Sequence, residues 1–110
     1  MEIRGLSHNM ESLILNWARD RNILRNGTVE GQLLKLHEEV AELEEAIAKK
    51  DNKEIADAIG DIQVVLTILA YLNGMSAYNC MIEAYGVIAK RTGKMVDGIF
   101  VKDTDEEPEV

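Results

Sequence analysis

The stretch from Gln32 to Asp61, QLLKLHEEVAELEEAIAKKDNKEIADAIGD, constrains the fold more than any other part of the sequence. A break at Lys50 to Asn52 divides it into two segments, each with the length of several helical turns. Both segments carry carboxylates at helical spacing, so the stretch predicts two acidic helices joined by a turn. The acids before the break are Glu38, Glu39, Glu42 and Glu45, and those after it are Glu54, Asp57 and Asp61.

The first of these helices is expected to bury an apolar stripe with two glutamates beside it. At about 100° per residue, the members of the stripe fall within about 60° of one another. Glu39 lies about 60° from this stripe, and Glu42 lies further round on the same side. We therefore expect the two glutamates to be neighbours one turn apart, at the edge of the core. The stripe consists of Leu36, Val40, Leu43 and Ile47.

The second helix becomes apolar on nearly every side after Asp61, which is typical of a buried helix. Asp61 shares a face with Val65 and Ile68, so its carboxylate is predicted to point to where the helix enters the core. A solvated acidic face, with ordinary i,i+4 pairs such as Lys35 with Glu39, is the alternative. That alternative does not explain an acid that opens an apolar run.

Several carboxylates gathered at a buried seam require cations. Burying an unpaired carboxylate is costly, and neighbouring carboxylates raise one another's pKa values. Lys49 and Lys50 at the turn are too few and too solvated to neutralise the group. Carboxylate oxygens suit hard cations, so the pattern predicts a site for Mg²⁺, with Mn²⁺ as the alternative.

This segment resembles the MazG-like all-α nucleoside triphosphate pyrophosphohydrolases, in which EExxE on one helix is followed by ExxD on the next. Here the first half is EEVAE at Glu38–Glu42, and the second half ends in IGD at Ile59–Asp61. The resemblance extends from Trp17 to Lys94 and so covers most of the chain. It implies Mg²⁺-dependent hydrolysis of a nucleoside triphosphate, deoxy or noncanonical, between the α and β phosphates, giving the monophosphate and pyrophosphate.

One position departs from the family pattern. The second pair of acids would place a glutamate at position 58, where this chain has Ala58. Either Asp57 or Glu54 supplies that ligand, or the site is one carboxylate short.

The resemblance also implies roles for individual acids. The expected metal ligands are Glu39, Glu42 and Asp61 together with Asp57, for which Glu54 is the substitute. Glu38, or a carboxylate not fully used by the metal, is expected to accept the proton of the attacking water. The predicted catalytic set is therefore Glu38, Glu39, Glu42 and Asp61.

Basic and aromatic residues are candidates for holding the substrate. Lys35 lies one turn before the acids and is expected to reach the phosphates. Lys90, Arg91 and Lys94 form a basic cluster at the end of a third long helix. They either hold phosphate oxygens, in this or a neighbouring subunit, or complement the dipole of that helix. Trp17 is either a core residue or a stacking platform for the base.

Length and composition predict one small domain that completes its core by association. The chain has 110 residues, 46% of them hydrophobic, which is enough for a modest core, so a homodimer or homotetramer is expected. We predict a domain at residues 1–102 and an acidic disordered tail at residues 103–110. Without the five acids of that tail, the net charge of −8 becomes −3, and no basic stripe is present. Duplex nucleic acid is therefore not expected as a partner.

Neither a membrane protein nor a catalytic cysteine is expected. The sequence has no run of about 18 apolar residues and no basic segment leading into a hydrophobic one, which predicts neither a membrane span nor a signal peptide and favours a cytoplasmic location. Cys80, the single cysteine, is expected to be a small buried side chain. His37 is expected on a helix surface.

The helix before the acidic pair is predicted from its caps and spacing. Ser7 is expected to cap a first helix that ends near Asn22, and Thr28 is expected to cap the glutamate helix. The predicted packing face of the first helix consists of Met10, Leu13, Ile14 and Trp17.

The C-terminal part is predicted to contain one more long helix and a short arm. Asn73-Gly74 ends the second acidic helix, and Ser76 caps a helix that runs to about Arg91. Gly93 is expected to end it in a left-handed conformation, and Met95–Lys102 is expected to be extended. The predicted fold class is all-α, a bundle of about four helices.

Two other functional classes stay open. One is a helical module without catalytic activity that dimerises or docks on a partner, which is favoured if Ala58 breaks the metal site. The other is a hydrolase of a different pyrophosphate compound, such as a nucleotide sugar or an alarmone. Release of pyrophosphate itself from a triphosphate separates the main prediction from both.

Overall fold

A computed structural model describes the backbone of residues 3–103 and the side chains of residues 9–103. The chain divides into two compact units, Met1–Cys80 and Met81–Val110. Helices dominate the described residues, which confirms the predicted all-α class. In chain order the elements are α1 (Ile3–Asp20), α2 (Ile23–Asn26), α3 (Val29–Lys49), α4 (Asn52–Leu72), α5 (Ala77–Ile88), β1 (Gly93–Val96) and β2 (Ile99–Lys102).

Local capping determines where α3 and α4 begin and end. The Thr28 hydroxyl accepts a hydrogen bond from the Gly31 amide at 3.0 Å, so the predicted cap is confirmed. Lys50 ends α3 in the left-handed conformation, and its N–H group bonds to the last carbonyls of the helix. Asp51 then caps α4 by accepting from the Glu54 amide at 3.1 Å. This short connection folds the two helices back on one another as an antiparallel pair.

The face of α3 that packs inward differs from the predicted one. Leu36 and Leu43 are half-buried as expected, but Val40 and Ile47 remain 39% and 55% exposed. The helix is rotated so that Glu39, with an exposed fraction of 4%, lies on its buried face. The prediction that Glu39 would lie at the edge of the core was therefore wrong, since it lies inside.

Helix α4 is the central element of the first unit, because α1, α2 and α3 all pack against it. Its buried hydrophobic side chains are Ala58, Val65 and Ile68, and Asp61 is half-buried on the same side. By length and composition alone, α4 is also apolar enough to cross a membrane, with a mean hydropathy of 1.7. Core helices of soluble proteins share these properties.

Helix α1 begins earlier than predicted and buries a different face. It starts at Ile3, so Ser7 lies inside the helix and is not its N-cap. Among the described side chains of α1, Glu11 and Ala18 are buried, whereas three of the four predicted packing residues are exposed. Those three are Met10, Leu13 and Trp17. The short helix α2, which was not predicted, follows after Asn22 adopts a left-handed conformation.

A polar contact ties α1 to the start of α5. The Ser76 hydroxyl lies 2.9 Å and 3.0 Å from the two oxygens of the buried Glu11 carboxylate and donates its single hydrogen to one of them. The same hydroxyl accepts from the Asn79 amide at 3.3 Å, which confirms Ser76 as the cap of α5. The carboxylate therefore lies near the N-terminal end of a helix, where a negative charge is favourable.

The second unit contains the rest of α5 and a β-hairpin. Helix α5 ends at Ile88, three residues before the predicted end at Arg91. Gly93 is not a left-handed cap but the first residue of β1, where a Cβ atom would collide with the Val101 carbonyl oxygen. Strands β1 and β2 pair antiparallel through a two-residue turn with positive φ angles at Asp97 and Gly98, so the predicted extended arm is a hairpin.

Three further predictions concern single residues and the tail. Cys80 was expected to be buried but is exposed on α5. His37 is exposed on α3, as predicted. The proposed domain boundary near residue 102 stays a prediction, and residues 104–110 of the predicted tail lie outside the described residues.

The cap of α4 gives a direct test of this helix pair. We expect Asp51→Ala to lower the free energy of unfolding by about 1 kcal/mol, because the Glu54 amide loses its acceptor. Asn52→Ala, at the next and exposed position, is the control and should stay within about 0.5 kcal/mol of wild type. Urea denaturation measures both. Equal losses in the two variants would contradict the capping role.

Candidate metal centre

Glu39 is the most buried acid among the described residues. It is 4% exposed and points from α3 into the interface with α4. Its Oε2 atom lies 3.3 Å from the Lys35 ammonium nitrogen, but its Oε1 atom has no hydrogen-bond partner among the described residues. Buried polar atoms are nearly always paired, and an unpaired carboxylate oxygen is especially costly. This oxygen is therefore positioned to bind a cation.

Two more carboxylates meet Glu39 at this point. Glu39, Glu42 and Asp61 each offer one oxygen atom, and these three atoms lie within 4.8 Å of one another. Glu39 and Asp61 can meet because they lie at similar distances from the turn on two antiparallel helices. Ligand oxygens around an octahedral Mg²⁺ are separated by roughly 3–4 Å, given Mg–O distances of about 2.0–2.1 Å. The three acids therefore fit a small hard cation.

The electrostatics of the group show an excess of negative charge. Burial raises the pKa of Asp61, and the charges of Asp57 and Glu39 raise it further. The nearby charge of Glu39 is the main cause that raises the pKa of Glu42, followed by desolvation. Lys35 lowers both pKa values, but both remain raised, so the protein alone compensates the ionised forms only in part. A bound cation would supply the remaining compensation.

Lys35 is the cation that the chain itself contributes. Its ammonium nitrogen lies 3.3 Å from Glu39 Oε2 and 3.7 Å from Glu38 Oε1. The hydrogen bond and the charge of Glu39 raise the pKa of Lys35, so it stays protonated at neutral pH. Lys35 and Glu39 do form the i,i+4 pair that the solvated-face alternative expected. Glu39 is buried, however, so the pair does not lie on a solvated face.

The predicted second acid pair on α4 is only partly assembled. Asp57 and Glu54 are both exposed and do not belong to the group of three described above. Asp57 is close enough for its charge to raise the pKa of Asp61. Ala58 occupies the buried position one turn before Asp61, with an exposed fraction of 4%. The assignment of Asp57 as a ligand stays a prediction.

The other predicted residues lie on exposed surfaces. The side chain of Glu38 is 66% exposed, beside Lys35. Lys90 and Arg91 follow α5, and Lys94 lies on β1; all three are exposed and belong to the second unit. Their role in binding phosphate stays a prediction.

Trp17 is 44% exposed, so the expectation of a core residue was wrong. The Arg21 guanidinium lies 4.7 Å from the centroid of its indole ring and donates to the Trp17 carbonyl at 3.1 Å. Sequence reasoning missed Arg21, although a cation four residues after an aromatic residue at a helix end is a usable signal. Stacking of a base on Trp17 stays a prediction.

The charge excess predicts a gain in stability when one acid of the group is neutralised. Because the folded state raises the pKa of Asp61, the folded chain binds protons more readily than the unfolded chain, and its stability falls as the pH rises through that pKa. In EDTA at pH 7, Asp61→Asn should therefore melt at a higher temperature than wild type. The difference should shrink as the pH falls to about 4, the ordinary range of an aspartate.

Glu44→Gln is the matched control, because Glu44 is exposed on α3 and does not belong to the group. Thermal melts of wild type and both variants across the pH range measure the effect. A lower melting temperature for Asp61→Asn at pH 7 would show that Asp61 is already compensated within the protein.

Comparisons with known proteins address the same segment. A sequence model of phosphoribosyl-ATP pyrophosphohydrolase matches residues 21–84, which contain both acidic helices. The chain is also 43% identical over 68 residues to a protein of Haemophilus phage HP1 described as an uncharacterized 18.2 kDa protein in the rep-hol intergenic region. That match covers 59% of this chain and 42% of the phage protein, so the chain spans about two-fifths of the length of this relative. No solved structure matches.

The family match extends over more than half of the chain and confirms the resemblance seen in the acidic motif. Members are pyrophosphohydrolases of the MazG-like kind and typically depend on a divalent metal, which agrees with the acidic group described above. The chain therefore belongs to the phosphoribosyl-ATP pyrophosphohydrolase family, within the MazG-like superfamily of all-α nucleoside triphosphate pyrophosphatases.

Proposed function

We propose that this protein hydrolyses a nucleoside triphosphate between its α and β phosphates, with Mg²⁺ as cofactor, to give the monophosphate and pyrophosphate. The observation that carries the proposal is the buried Glu39 oxygen without a partner, which lies in a group with Glu42 and Asp61. Three converging carboxylates form the kind of oxygen ligand set that Mg²⁺ or Mn²⁺ takes in proteins that bind phosphates. Family membership supports the reaction class.

The metal site in this proposal is built on two rigid helices. Glu39 and Glu42 come from α3 and Asp61 comes from α4. Asp57, which is exposed on α4 outside this group, is a further ligand in the proposal. A bound Mg²⁺ would neutralise charge on the phosphates and lower the pKa of an attacking water. Because the capped turn and the helix interface fix these acids, they can hold the cation without costly rearrangement.

Other side chains have distinct tasks in this proposal. Glu38 lies next to Glu39 in the chain and remains accessible to water, so it can accept a proton from the nucleophile. Lys35 is fully charged, and with its side chain 51% exposed it can hold a phosphate oxygen while keeping its contact with Glu39. Lys90, Arg91 and Lys94 are further candidates for phosphate binding.

The proposed substrate is defined by its triphosphate group, and the nucleoside part has two candidates. A deoxynucleotide or noncanonical nucleoside triphosphate is our main proposal, with Trp17 stacking on the base. The family match gives a second candidate, phosphoribosyl-ATP, which carries the same triphosphate group. A nucleotide sugar or an alarmone as substrate, or a helical module that only binds a partner, would give no pyrophosphate in a triphosphate assay.

We also propose that the protein is a cytoplasmic homodimer or homotetramer with neither duplex nucleic acid nor a membrane as a partner. Among the described side chains of the first unit, five hydrophobic ones are buried, three of them alanines, while apolar residues on α1 and α3 stay exposed, including Leu13, Trp17, Val40 and Ile47. Exposed apolar patches of this kind mark association surfaces. Light scattering coupled to size-exclusion chromatography should give the mass of two or four copies. A monomer at micromolar concentration would contradict the proposed oligomeric state.

The activity prediction uses a matched pair of glutamates on α3. With saturating Mg²⁺ and a triphosphate that wild type cleaves, Glu42→Gln should lower kcat by about 100-fold or more, because a metal ligand contributes several kcal/mol to transition-state stabilisation. Glu44→Gln, which changes an exposed glutamate not in the group, should keep wild-type activity. Pyrophosphate release from a panel that includes phosphoribosyl-ATP measures both.

Excess EDTA should stop pyrophosphate release by wild type and by Glu44→Gln alike. Turnover that persists in EDTA, or equal kcat values for the two glutamine variants, would contradict the proposed site. A folded wild-type protein that releases no pyrophosphate from any triphosphate would favour the partner-binding module.

A further inference from the structure

The charges of the candidate metal centre can be counted from the contacts described above. Glu39, Glu42 and Asp61 bring three carboxylates together, and Lys35 adds one ammonium group at 3.3 Å from Glu39. The net formal charge of these four side chains is −2; Glu38 and Asp57 lie outside the group and are exposed to water in the free protein. One divalent cation neutralises that charge, whereas a second would leave the site with an excess of positive charge in a partly buried position.

The contacts of the Glu39 oxygens also indicate a single metal ion. The two oxygens of Glu39 differ in their contacts, because Oε2 pairs with Lys35 whereas Oε1 is buried without a partner among the described residues. Two metal ions about 3.5–4 Å apart need bridging oxygens and ligands on both sides. With Oε2 already paired, Glu39 has only one free oxygen for a metal.

Ala58 occupies the place on α4 where a further ligand would reach the group. It lies one turn before Asp61 on the same helix, and residues three apart are neighbours on a helix surface. Its exposed fraction of 4% shows that its methyl group is packed inside, while the nearby acids Asp57 and Glu54 are exposed. The buried side of α4 therefore presents a methyl group where a second ion would need a carboxylate.

We propose that this centre binds one divalent ion per chain in the absence of nucleotide, and that the Lys35 ammonium takes the position of a second cation. The inference rests on the metal site of the proposed function and specifies how many ions the protein itself holds. Any additional Mg²⁺ must then enter together with the phosphates of the substrate, which supply their own oxygen ligands. Lys35 thus acts both as a structural cation in the free protein and as a contact for the incoming triphosphate.

Titration calorimetry of the full chain with Mn²⁺, without nucleotide, tests the count. Wild type should bind one Mn²⁺ per chain. Ala58→Glu adds a fourth carboxylate and should bind a second Mn²⁺, whereas Ala58→Gln, which has the same size without the charge, should stay at one. Circular dichroism shows whether each variant keeps its helices.

A second variant tests the role of Lys35 without changing a buried position. The Lys35 side chain is 51% exposed, so Lys35→Met should fold normally, and it leaves the group with a net charge of −3. This variant should bind the first Mn²⁺ at least about tenfold more tightly, or bind a second one. Lys49→Met is the control, because Lys49 pairs at 3.6 Å with the exposed Glu45 rather than with the group.

The outcomes separate this inference from the proposed function when pyrophosphate release is measured on the same wild-type sample. Two Mn²⁺ per wild-type chain with normal release would overturn the single-ion inference and leave the function intact. One Mn²⁺ per chain without release from any triphosphate would overturn the function and leave the inference. A Lys35→Met variant that binds one Mn²⁺ with unchanged affinity, or a wild type that binds no Mn²⁺, would also overturn the inference.

Discussion

The structure depends on one costly interaction, the burial of the Glu39 carboxylate between α3 and α4. A helix pair of this size would be more stable with an apolar side chain at that position, since one of the two oxygens has no partner among the described residues. Asp61 faces it from the other helix and Lys35 compensates part of its charge. The arrangement is therefore explained by what it can bind rather than by the stability of the free chain.

The local features of the helix pair could be predicted from the sequence, because they depend on short-range chemistry. Thr28 caps α3 and Asn73-Gly74 follows the end of α4 as expected. The rotation of α3 could not be predicted in this way. The apolar pattern locates Val40 and Ile47 correctly on one stripe, but only the position of α4 decides which flank of that stripe is buried. The buried flank turned out to be the one that carries Glu39.

Long-range contacts account for the remaining differences. Glu11 is buried because it meets the Ser76 hydroxyl, a partner 65 residues away that no local pattern indicates. The acids of the candidate site were predicted because helical spacing and the family motif agree, and Ala58 was recognised as the one departure. The Arg21 guanidinium over Trp17 was not predicted, because the apolar spacing of α1 favours a packed indole over one that contacts a cation. The exposed apolar stripes of α1 and α3 are consistent with a chain whose packing is completed by another copy.

The most direct measurement of the central claim is an anomalous difference map from a crystal of the full chain soaked in Mn²⁺. We expect one strong peak per chain, at roughly 2 Å from Glu39 Oε1 and within bonding distance of Glu42 and Asp61. A second peak between the same carboxylates would contradict the single-ion count. If the Mn²⁺ lay elsewhere and Glu39 Oε1 were hydrogen-bonded within the protein, the burial of this carboxylate would have no metal-binding explanation.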